Sequence, residues 1–520
     1  MALASSVVFS LVTLTRFPIL YGDESWIGSA AWSFASGHGF RPSLAVGGGV
    51  YDHATDYWLP RLGTLPFIIT DAIAGPSFWA FRFAAFVIGV GALMVFVAAL
   101  RPRYGFATAV FAALALSLSW GFFSAGHYVR WDSLAFLLTC LLLGMFLRGV
   151  PGPRGCLLLG LGLGLCPDIE VSVLASFPVV VLLVAWNPVQ RFARLGLLAA
   201  GMAGGFVTYF ALHSFPFGSQ ASKQFSDVYA PAYKLPVEQI LKHHSLAPLR
   251  GERLRYDYMA HAYAPDRLAM YVLFLGLAAL IVALAVGRLS TAYPTHLVAG
   301  FFLAGHLGGL ALIQANKAPI HAWYAVPYAI AAIVEAIYLL GRSRSASYAV
   351  VRVWTTVLAL GLLAALEGHA LVDVERMTPK EPIFTKQFAA IARRAAPPGK
   401  SVLGDYIYWW GFRNINYHWN SWIWNYRWSH HAGFDPAFNR LCPDVVIFDD
   451  VWNSRYDQTA TFGPRFPSMA PTDATERAAL HALLEREYSL TTQTVIDGRK
   501  IQFWTRKAAA CRGILTTPTS

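Results

Sequence analysis

The chain has 520 residues, of which 56% are hydrophobic and 13% are charged. Soluble domains carry roughly 25% charged residues, so this composition excludes an ordinary water-soluble surface over the whole chain. The formal net charge of +12 does not indicate nucleic-acid binding, because many of the arginines lie in short links between apolar runs. Short basic links mark the cytoplasmic side of a membrane protein.

Apolar runs recur along the chain, and a membrane-spanning helix needs about 20 mostly apolar residues. By that measure the sequence predicts about eleven spans. They are Leu3–Tyr21, Phe78–Leu100, Gly105–Phe123, Trp131–Leu147, Gly155–Cys166, Val171–Trp186, Leu195–His213, Leu268–Val286, Thr295–Ile313, Trp323–Leu340 and Ala349–Ala370. The fifth span is short and is interrupted by Pro167, Asp168 and Glu170, which is typical of half of a tight hairpin.

The first span lacks a basic N-terminal region and a small-residue cleavage pattern, so it is predicted to be a retained helix. With the arginine links inside, the N-terminus is cytoplasmic and an odd number of spans puts the C-terminus outside. The sequence thus predicts a polytopic α-helical membrane module over 1–371, with outer loops at 22–77 and 214–267. An extracytoplasmic α/β domain over 372–520 follows it.

Within the first outer loop, apolar residues recur at helical spacing at Trp26, Ile27, Ala30, Ala31 and Phe34. This pattern predicts an amphipathic helix that lies in the membrane interface rather than crossing it.

The tail has the alternating pattern of a small α/β domain. The predicted elements are helices at Phe384–Ala395 and Ala478–Tyr488, strands at Ser401–Gly404 and Val445–Phe448, and a hairpin of Leu490–Ile496 and Lys500–Thr505. If the tail faces an oxidising compartment, Cys442 and Cys511 are a candidate disulfide pair.

Adjacent carboxylates, Asp23 and Glu24, follow the first span at the membrane surface. A partly desolvated acid there suits proton abstraction or metal binding, although a solvated helix start has the same pattern. Asp52 and His53 lie later in the same loop. Asp23, Glu24 and Asp52 are the candidate ligands of a divalent metal, which the sequence does not demand.

Cations at or inside membrane boundaries face polar cavities or pair with carboxylates. Arg82 lies inside the second span, Arg130 precedes Asp132 at an outer boundary, and Lys317 and His321 lie in a short outer link. Such cations can clamp a lipid phosphate, and headgroup snorkelling is the alternative for the last two. The tryptophan-rich run at 406–431 either anchors the tail at the interface or stacks on sugars.

The order of these features resembles the GT-C superfamily of lipid-dependent glycosyltransferases, and most of all the branch with lipid A aminoarabinose transferases and protein O-mannosyltransferases. The motifs are Tyr21-Gly22-Asp23-Glu24, Trp79-Ala80-Phe81-Arg82, Tyr128-Val129-Arg130-Trp131-Asp132, and Lys317 with His321, Tyr324 and Pro327. The branch's lysine-proline-proline-like element is missing, and Tyr57-Trp58-Leu59-Pro60-Arg61 stands near its place. Tyr408-Trp409-Trp410-Gly411 resembles the tryptophan-rich motif of oligosaccharyltransferases without its aspartate.

The resemblance implies a hexosyl- or pentosyltransferase of the cell envelope that uses a polyprenyl-phosphate sugar donor, in a bacterial inner membrane. The acceptor is a glycan, lipid or protein on the outer face. Asp23 takes the role of general base, with Glu24 beside it. Candidates for the donor phosphate are Arg61, Arg82, Arg130, Lys317 and His321, and candidates for the sugar or acceptor are Asp52, His53, Tyr324, Trp409 and Trp410.

The alternative from another class is a transporter or flippase of a lipid-linked saccharide. Transporters often contain inverted repeats and broken helices at the midplane. In this chain the polar groups gather at one face and no repeat is evident, which favours an enzyme. A binding or sensory protein with an outer domain is a third interpretation.

Overall fold

The computed structural model describes residues 1–18, 22–40, 58–214, 218–224, 226, 235–261, 264–286, 294–314, 317–340, 347–378, 386–397, 399–412, 416–449, 474–496 and 498–507. Contacts within the chain divide it into two compact units. Unit 1 comprises Met1–Pro18, Trp58–Pro66 and Arg82–Thr378, and unit 2 comprises Ile19–Tyr57, Phe67–Phe81 and Pro379–Ser520. Unit 2 therefore combines most of the first predicted outer loop with the tail.

The described residues between 2 and 377 are mainly helical. In chain order, helices α1 to α19 are Ala2–Thr13, Gly22–Ala35, Arg61–Ala74, Phe78–Tyr104, Phe106–Leu118, Trp120–Ala125, Asp132–Leu147, Pro153–Leu165, Phe177–Trp186, Arg191–Ser214, Gly218–Gln224, Pro236–His243, Ala247–Arg250, Glu252–His261, Ala264–Val286, Val298–Ile313, Ile320–Trp323, Val326–Leu340 and Ser347–Met377. Short 3₁₀ helices at Cys166–Asp168 and Val171–Ser176 connect α8 to α9.

Helices occupy each of the predicted spans. Among the described residues, five helices are long and apolar enough to cross a membrane. They are Phe78–Tyr104, Arg191–Ser214, Ala264–Val286, Ile320–Leu340 and Val350–Met377. Shorter apolar helices are Ala2–Thr13, Phe106–Leu118, Asp132–Leu147, Val171–Trp186 and Val298–Ile313. The helical membrane character is thus confirmed, while the count of eleven spans stays a prediction.

The predicted span Gly105–Phe123 is not one helix, because it breaks at Ser119. The backbone of Ser119 is extended, with ψ of 135°, and its hydroxyl donates to the Leu116 carbonyl over 2.8 Å. Serine side chains offer the backbone such alternatives to helical hydrogen bonds. Apolar periodicity alone does not register this local competition.

The interrupted fifth span contains α8, which packs against α10 through glycines on both helices. A Cβ atom at Gly164 would lie 2.3 Å from the Met202 carbonyl oxygen, and one at Gly201 would lie 2.1 Å from that of Leu157. Small residues let helix backbones approach closely where burial from water supplies no driving force. The glycines of this short span therefore bring α8 against α10.

Unit 2 contains the first-loop helix α2 and the tail. The tail helices α20 to α24 are Lys386–Ala395, Trp409–Phe412, Ser421–His430, Phe434–Leu441 and Ala474–Glu487, with a 3₁₀ helix at Tyr406–Tyr408. Strands β1 to β5 are Val402–Gly404, Tyr417–Trp419, Val445–Asp449, Tyr488–Ile496 and Arg499–Arg506. The sheet order is β2-β1-β3-β5-β4, in which β1 is parallel to β2 and β3 and the remaining pairs are antiparallel.

The predicted α/β tail is confirmed in its helix at Lys386–Ala395, in β1 and β3, and in the hairpin of β4 and β5. Strand β2 was not predicted, since it lies inside the aromatic run where tryptophans dominate the pattern. Cys442 is disulfide-bonded, and Cys511 lies outside the described residues. The first-loop helix is also present, but Ile27, Ala30 and Ala31 are fully buried in protein. Contact with protein therefore accounts for much of its apolar face.

Candidate active site

The paired carboxylates lie in the first turn of α2 in unit 2. Asp23 is half-buried and Glu24 is buried. Acidic side chains at a helix N-terminus interact favourably with the unpaired backbone N–H groups there. Helix α2 therefore presents Asp23 partly to solvent in a position that suits an ionised carboxylate.

The next residue of the helix, Ser25, bonds to the tail. The Trp410 indole Nε1 donates to the Ser25 hydroxyl over 2.9 Å, and the ring centroid lies 5.0 Å from that of Phe78 and 5.5 Å from that of Phe81. Trp410 is 5% exposed and Trp409 is fully buried. These two candidates for sugar or acceptor binding are thus packed inside unit 2, and their ligand role stays a prediction.

Arg82 is fully buried in unit 1. Its Nη1 donates to the carbonyl oxygens of Leu14 over 2.8 Å and Pro18 over 3.0 Å, and its guanidinium lies 5.8 Å from the centroid of the Tyr128 ring. The last carbonyls of a helix have no partner within the helix. Arg82 therefore fixes the segment that follows α1.

Arg61 begins helix α3 and is held by a buried pair, Asp168 and His213. The Asp168 carboxylate accepts the backbone N–H of Arg61 over 2.7 Å and contacts His213 Nε2 over 2.8 Å. The Arg61 guanidinium donates to the Leu212 carbonyl over 2.7 Å. Burial lowers the pKa of Arg61, and the charge of Asp168 opposes that shift. The indole of Trp58 stacks on the His213 ring.

Arg130 is connected to the segment that contains Asp168 and Glu170 through its neighbour Trp131. The Trp131 indole donates to the Glu170 carboxylate over 2.7 Å, and a Cβ atom at Gly63 of α3 would lie 3.0 Å from Trp131 Cβ. Glu170 also accepts the backbone N–H of Ser172 over 3.0 Å. The residues that interrupt the fifth predicted span therefore bridge the starts of α3 and α7.

Arg130 itself pairs with a buried carboxylate. Its Nε lies 2.9 Å from Asp132 Oδ2, and the Asp132 side chain has no exposure. The other carboxylate oxygen accepts the hydroxyl of Tyr324, which is itself fully buried. Tyr324 thus holds the partner of Arg130, and its predicted contact with sugar or acceptor is untested.

Lys317 is half-buried in the link between α16 and α17. Its ammonium donates to the Gln314 carbonyl over 2.8 Å and lies 3.5 Å from Glu252, while the Gln314 amide reaches Ser172 Oγ over 3.0 Å. Burial is the main cause that lowers the Lys317 pKa, and the Glu252 carboxylate counteracts it.

The second outer loop supplies a fully buried arginine to this link. Arg255 Nε donates to Glu252 over 2.9 Å and its Nη1 donates to the Ala318 carbonyl over 2.6 Å. On the far side of the link, the backbone carbonyl of His321 lies 3.1 Å from His306 Nε2. Charged and polar contacts therefore hold the Lys317–His321 segment from α14 and α16.

We call this set of polar and charged residues the polar layer. Its members are Arg61, Arg130, Trp131, Asp132, Asp168, Glu170, Ser172, His213, Glu252, Arg255, His306, Gln314, Lys317, His321 and Tyr324. Arg61, Arg130, Lys317 and His321 each belong to it through a contact with another of its members. Arg82 donates to the carbonyls of Leu14 and Pro18.

Apart from Asp132, which follows Arg130 closely in the sequence, sequence analysis missed the carboxylates and histidines of this layer as partners of the cations. Asp168 and Glu170 carried a usable signal, because ionisable residues that interrupt an apolar run are costly in a membrane. Glu252 and Arg255 carried no such signal in the sequence, since their spacing in a polar loop is that of an ordinary exposed helix.

The other predicted positions give a mixed result. Asp52 and His53 lie outside the described residues. Among the residues that are described, no group of three or more His, Cys, Asp or Glu side chains is arranged to hold a metal ion, which leaves the metal option at Asp23, Glu24 and Asp52 untested. A cavity in unit 1 lies between α1, α4 and α6, away from the polar layer, and is lined by residues such as Ser10, Phe86 and His127.

No family model and no curated protein matches the chain. Among solved structures, the chain is similar to ArnT from Cupriavidus metallidurans bound to undecaprenyl phosphate, with 15% identity, a TM-score of 0.47 and 98% of each chain covered. It is also similar to the Archaeoglobus fulgidus oligosaccharyltransferase in complex with Zn and sulfate, with 12% identity, a TM-score of 0.48, and 95% of this chain and 72% of that one covered. ArnT and the oligosaccharyltransferase are GT-C fold members, the superfamily that the sequence motifs resemble.

Proposed function

We propose that the chain is a membrane glycosyltransferase that moves a sugar from a polyprenyl-phosphate donor to a glycan, lipid or protein acceptor on the extracytoplasmic face. The observation that carries this proposal is the polar layer. Arg61, Arg130, Lys317 and His321 come from three distant segments of the sequence, and each contacts another polar member of this layer. Guanidinium and ammonium groups are the side chains that recognise phosphate.

In the proposed reaction, Asp23 accepts the proton of the acceptor hydroxyl. The acceptor oxygen then bonds to the anomeric carbon of the sugar, while the bond between that carbon and the phosphate oxygen breaks. The electron pair of the broken bond stays on the lipid phosphate, whose added charge the cations stabilise. A single displacement of this kind inverts the anomeric configuration.

The carboxylates of the polar layer keep these cations in place when no donor is bound. A buried charge is costly unless it is paired, and Arg130 and Lys317 pair with Asp132 and Glu252. A guanidinium has five N–H donors, so pairing with a carboxylate and contact with a phosphate are compatible at Arg130.

The topology belongs to the same proposal. The N-terminus lies in the cytoplasm, about eleven helices cross a bacterial inner membrane, and the tail lies outside. The disulfide at Cys442 supports the outer placement of the tail, because disulfides persist in oxidising compartments.

The test is sugar transfer by the purified protein in detergent, with a panel of polyprenyl-phosphate sugars and release of polyprenyl phosphate as the readout. Asp23→Asn is expected to lower turnover by about 10²-fold or more, the usual contribution of a general base. Asp257→Asn is the matched control, since Asp257 is 45% exposed and pairs with Arg253 at the surface of α14. Binding of donor lipids without turnover, over varied acceptors and metals, would contradict the proposal and favour a flippase.

A further inference from the structure

The face of α2 that meets the tail is narrow. Trp410 bonds to Ser25, and a Cβ atom at Gly28 would lie 2.4 Å from Trp410 Cη2 and 2.7 Å from Cζ2. The ring centroids of Trp32 and Trp409 are 6.1 Å apart. Ser25, Gly28 and Trp32 are spaced by three and four residues, so they share one side of the helix. The tail contacts α2 on that side, and we call the contact of Trp410 with Gly28 the seat.

Gly28 permits this seat because it has no Cβ atom. Any other residue would place a carbon inside the van der Waals envelope of the indole, which is wedged by Phe78 and Phe81 on its other sides. Since the ring is buried among these partners, it cannot move aside freely. The backbone of α2 at Gly28 therefore lies directly against Trp410.

Asp23 lies on the other side of the same helix. At about 100° of rotation per residue, the direction of Asp23 is roughly 140–200° from those of Ser25, Gly28 and Trp32. The indole thus supports α2 from behind while Asp23 points away from it.

From this geometry we infer that Trp410 is a positioning residue for the general base. The tail fixes the helix that carries Asp23 through Trp410, and the seat at Gly28 sets how far α2 stands from the tail. This inference rests on the proposed function for the role of Asp23. Displacement of a catalytic group by about 1 Å can lower a rate by about 10²-fold, so the seat is expected to control turnover.

The experiment uses a compensating pair of substitutions in the full chain. Gly28→Ala is expected to lower kcat by about 10-fold or more while the donor KM stays within about 2-fold, since a misplaced base weakens the transition state rather than donor binding. Trp410→Phe removes Cη2 and Cζ2, the atoms that the added methyl group would meet. The double variant Gly28→Ala with Trp410→Phe is therefore expected to be more active than Gly28→Ala alone.

Gly91→Ala is the matched control, because Gly91 is also helical and a Cβ atom there would have nothing within 4 Å. It is expected to keep wild-type kcat. Equal kcat for Gly28→Ala and Gly91→Ala, or a double variant no better than the product of its single effects, would overturn the inference.

A second readout separates this inference from the proposed function. Thiol labelling of Asp23→Cys does not depend on turnover, and Cys140, Cys156 and Cys166 are buried. The labelling rate is expected to change by several-fold when Gly28→Ala is added and to return when Trp410→Phe is added as well. Unchanged labelling would overturn the support of position 23 by Trp410, whereas full turnover of Asp23→Asn together with changed labelling would overturn only the role of Asp23 as general base.

Discussion

The helix that carries Asp23 and the link that carries Lys317 are held by different forces. Behind Asp23, the support consists of rings, with Trp410 wedged between Phe78, Phe81 and the α2 backbone. Around Lys317, the support consists of charges and carbonyls, with Glu252 and the Gln314 oxygen in contact. Shape fixes the first region and charge balance fixes the second.

This difference follows from what each region is proposed to do. A general base must accept a proton, and its position relative to the acceptor controls the rate. Apolar support positions such a group without changing its charge. Cations buried at a membrane boundary need carboxylates as partners, and these partners also hold the cations at fixed places. The two regions should therefore respond differently to substitution.

The largest expected effect is in the charged region, at Arg130→Ala. This change leaves the Asp132 carboxylate buried without its ion-pair partner, and breaking a buried pair costs about 3–5 kcal/mol of unfolding free energy. Denaturant unfolding in detergent measures it. Arg16→Ala is the control, since Arg16 pairs with Glu375 but its side chain is 61% exposed, and such pairs contribute at most about 1 kcal/mol. Equal losses in the two variants would show that charge pairing does not hold this region.

A smaller effect is expected at Glu252→Gln, and it appears in the pH dependence. Burial already lowers the Lys317 pKa, and the Glu252 carboxylate counteracts this. Removing that charge lowers the pKa further, so Lys317 loses its proton at a lower pH than in the wild type. The alkaline limb of kcat/KM for the donor is expected to shift to lower pH. Glu238→Gln, in the exposed pair with Lys242, is expected to leave the limb in place, and an unmoved limb in Glu252→Gln would exclude Lys317 as a donor ligand.

The smallest expected effect is in the aromatic region, at Ser25→Ala. The hydrogen bond from Trp410 is lost but the ring packing remains, so the unfolding free energy should fall by about 1 kcal/mol. Thermal unfolding in detergent measures this loss. Ser5→Ala is the control, since the Ser5 hydroxyl bonds to the Met1 carbonyl at an exposed site. A loss as large as that of Arg130→Ala would mean that the polar contact, rather than shape, holds α2.

Much of the fold was predictable because it depends on local pattern. Runs of apolar residues set the helices, and alternation with an Asp-Gly turn set the hairpin of β4 and β5. The break at Ser119 was not predictable, since a hydroxyl that bonds its own helix leaves the apolar pattern unchanged. Strand β2, which pairs with β1 through Tyr417 and Val402, was missed because it lies inside the aromatic run, where tryptophans dominate the pattern.

The candidate site divides in the same way. The sequence placed Arg130 and Lys317 at outer boundaries, because charges are excluded from the apolar spans. It did not show that Glu252 of the second outer loop pairs with Lys317, or that Tyr324 binds the carboxylate beside Arg130, since Tyr324 and Asp132 are 192 positions apart. The contact of Trp410 with Ser25 joins residues 385 positions apart, so sequence analysis did not show it, and the predicted role of Trp410 in binding sugar or acceptor stays a prediction.

The sequence by itself determined that the chain is a helical membrane protein with an α/β tail, because hydropathy and strand alternation act over short stretches of chain. It also predicted which ionisable groups stand at membrane boundaries, where their desolvation is least costly. Only the tertiary structure decided which carboxylate accompanies which cation and which ring supports the helix of Asp23. Those choices depend on the packing of distant segments, in which shape and charge are matched after the helices have formed.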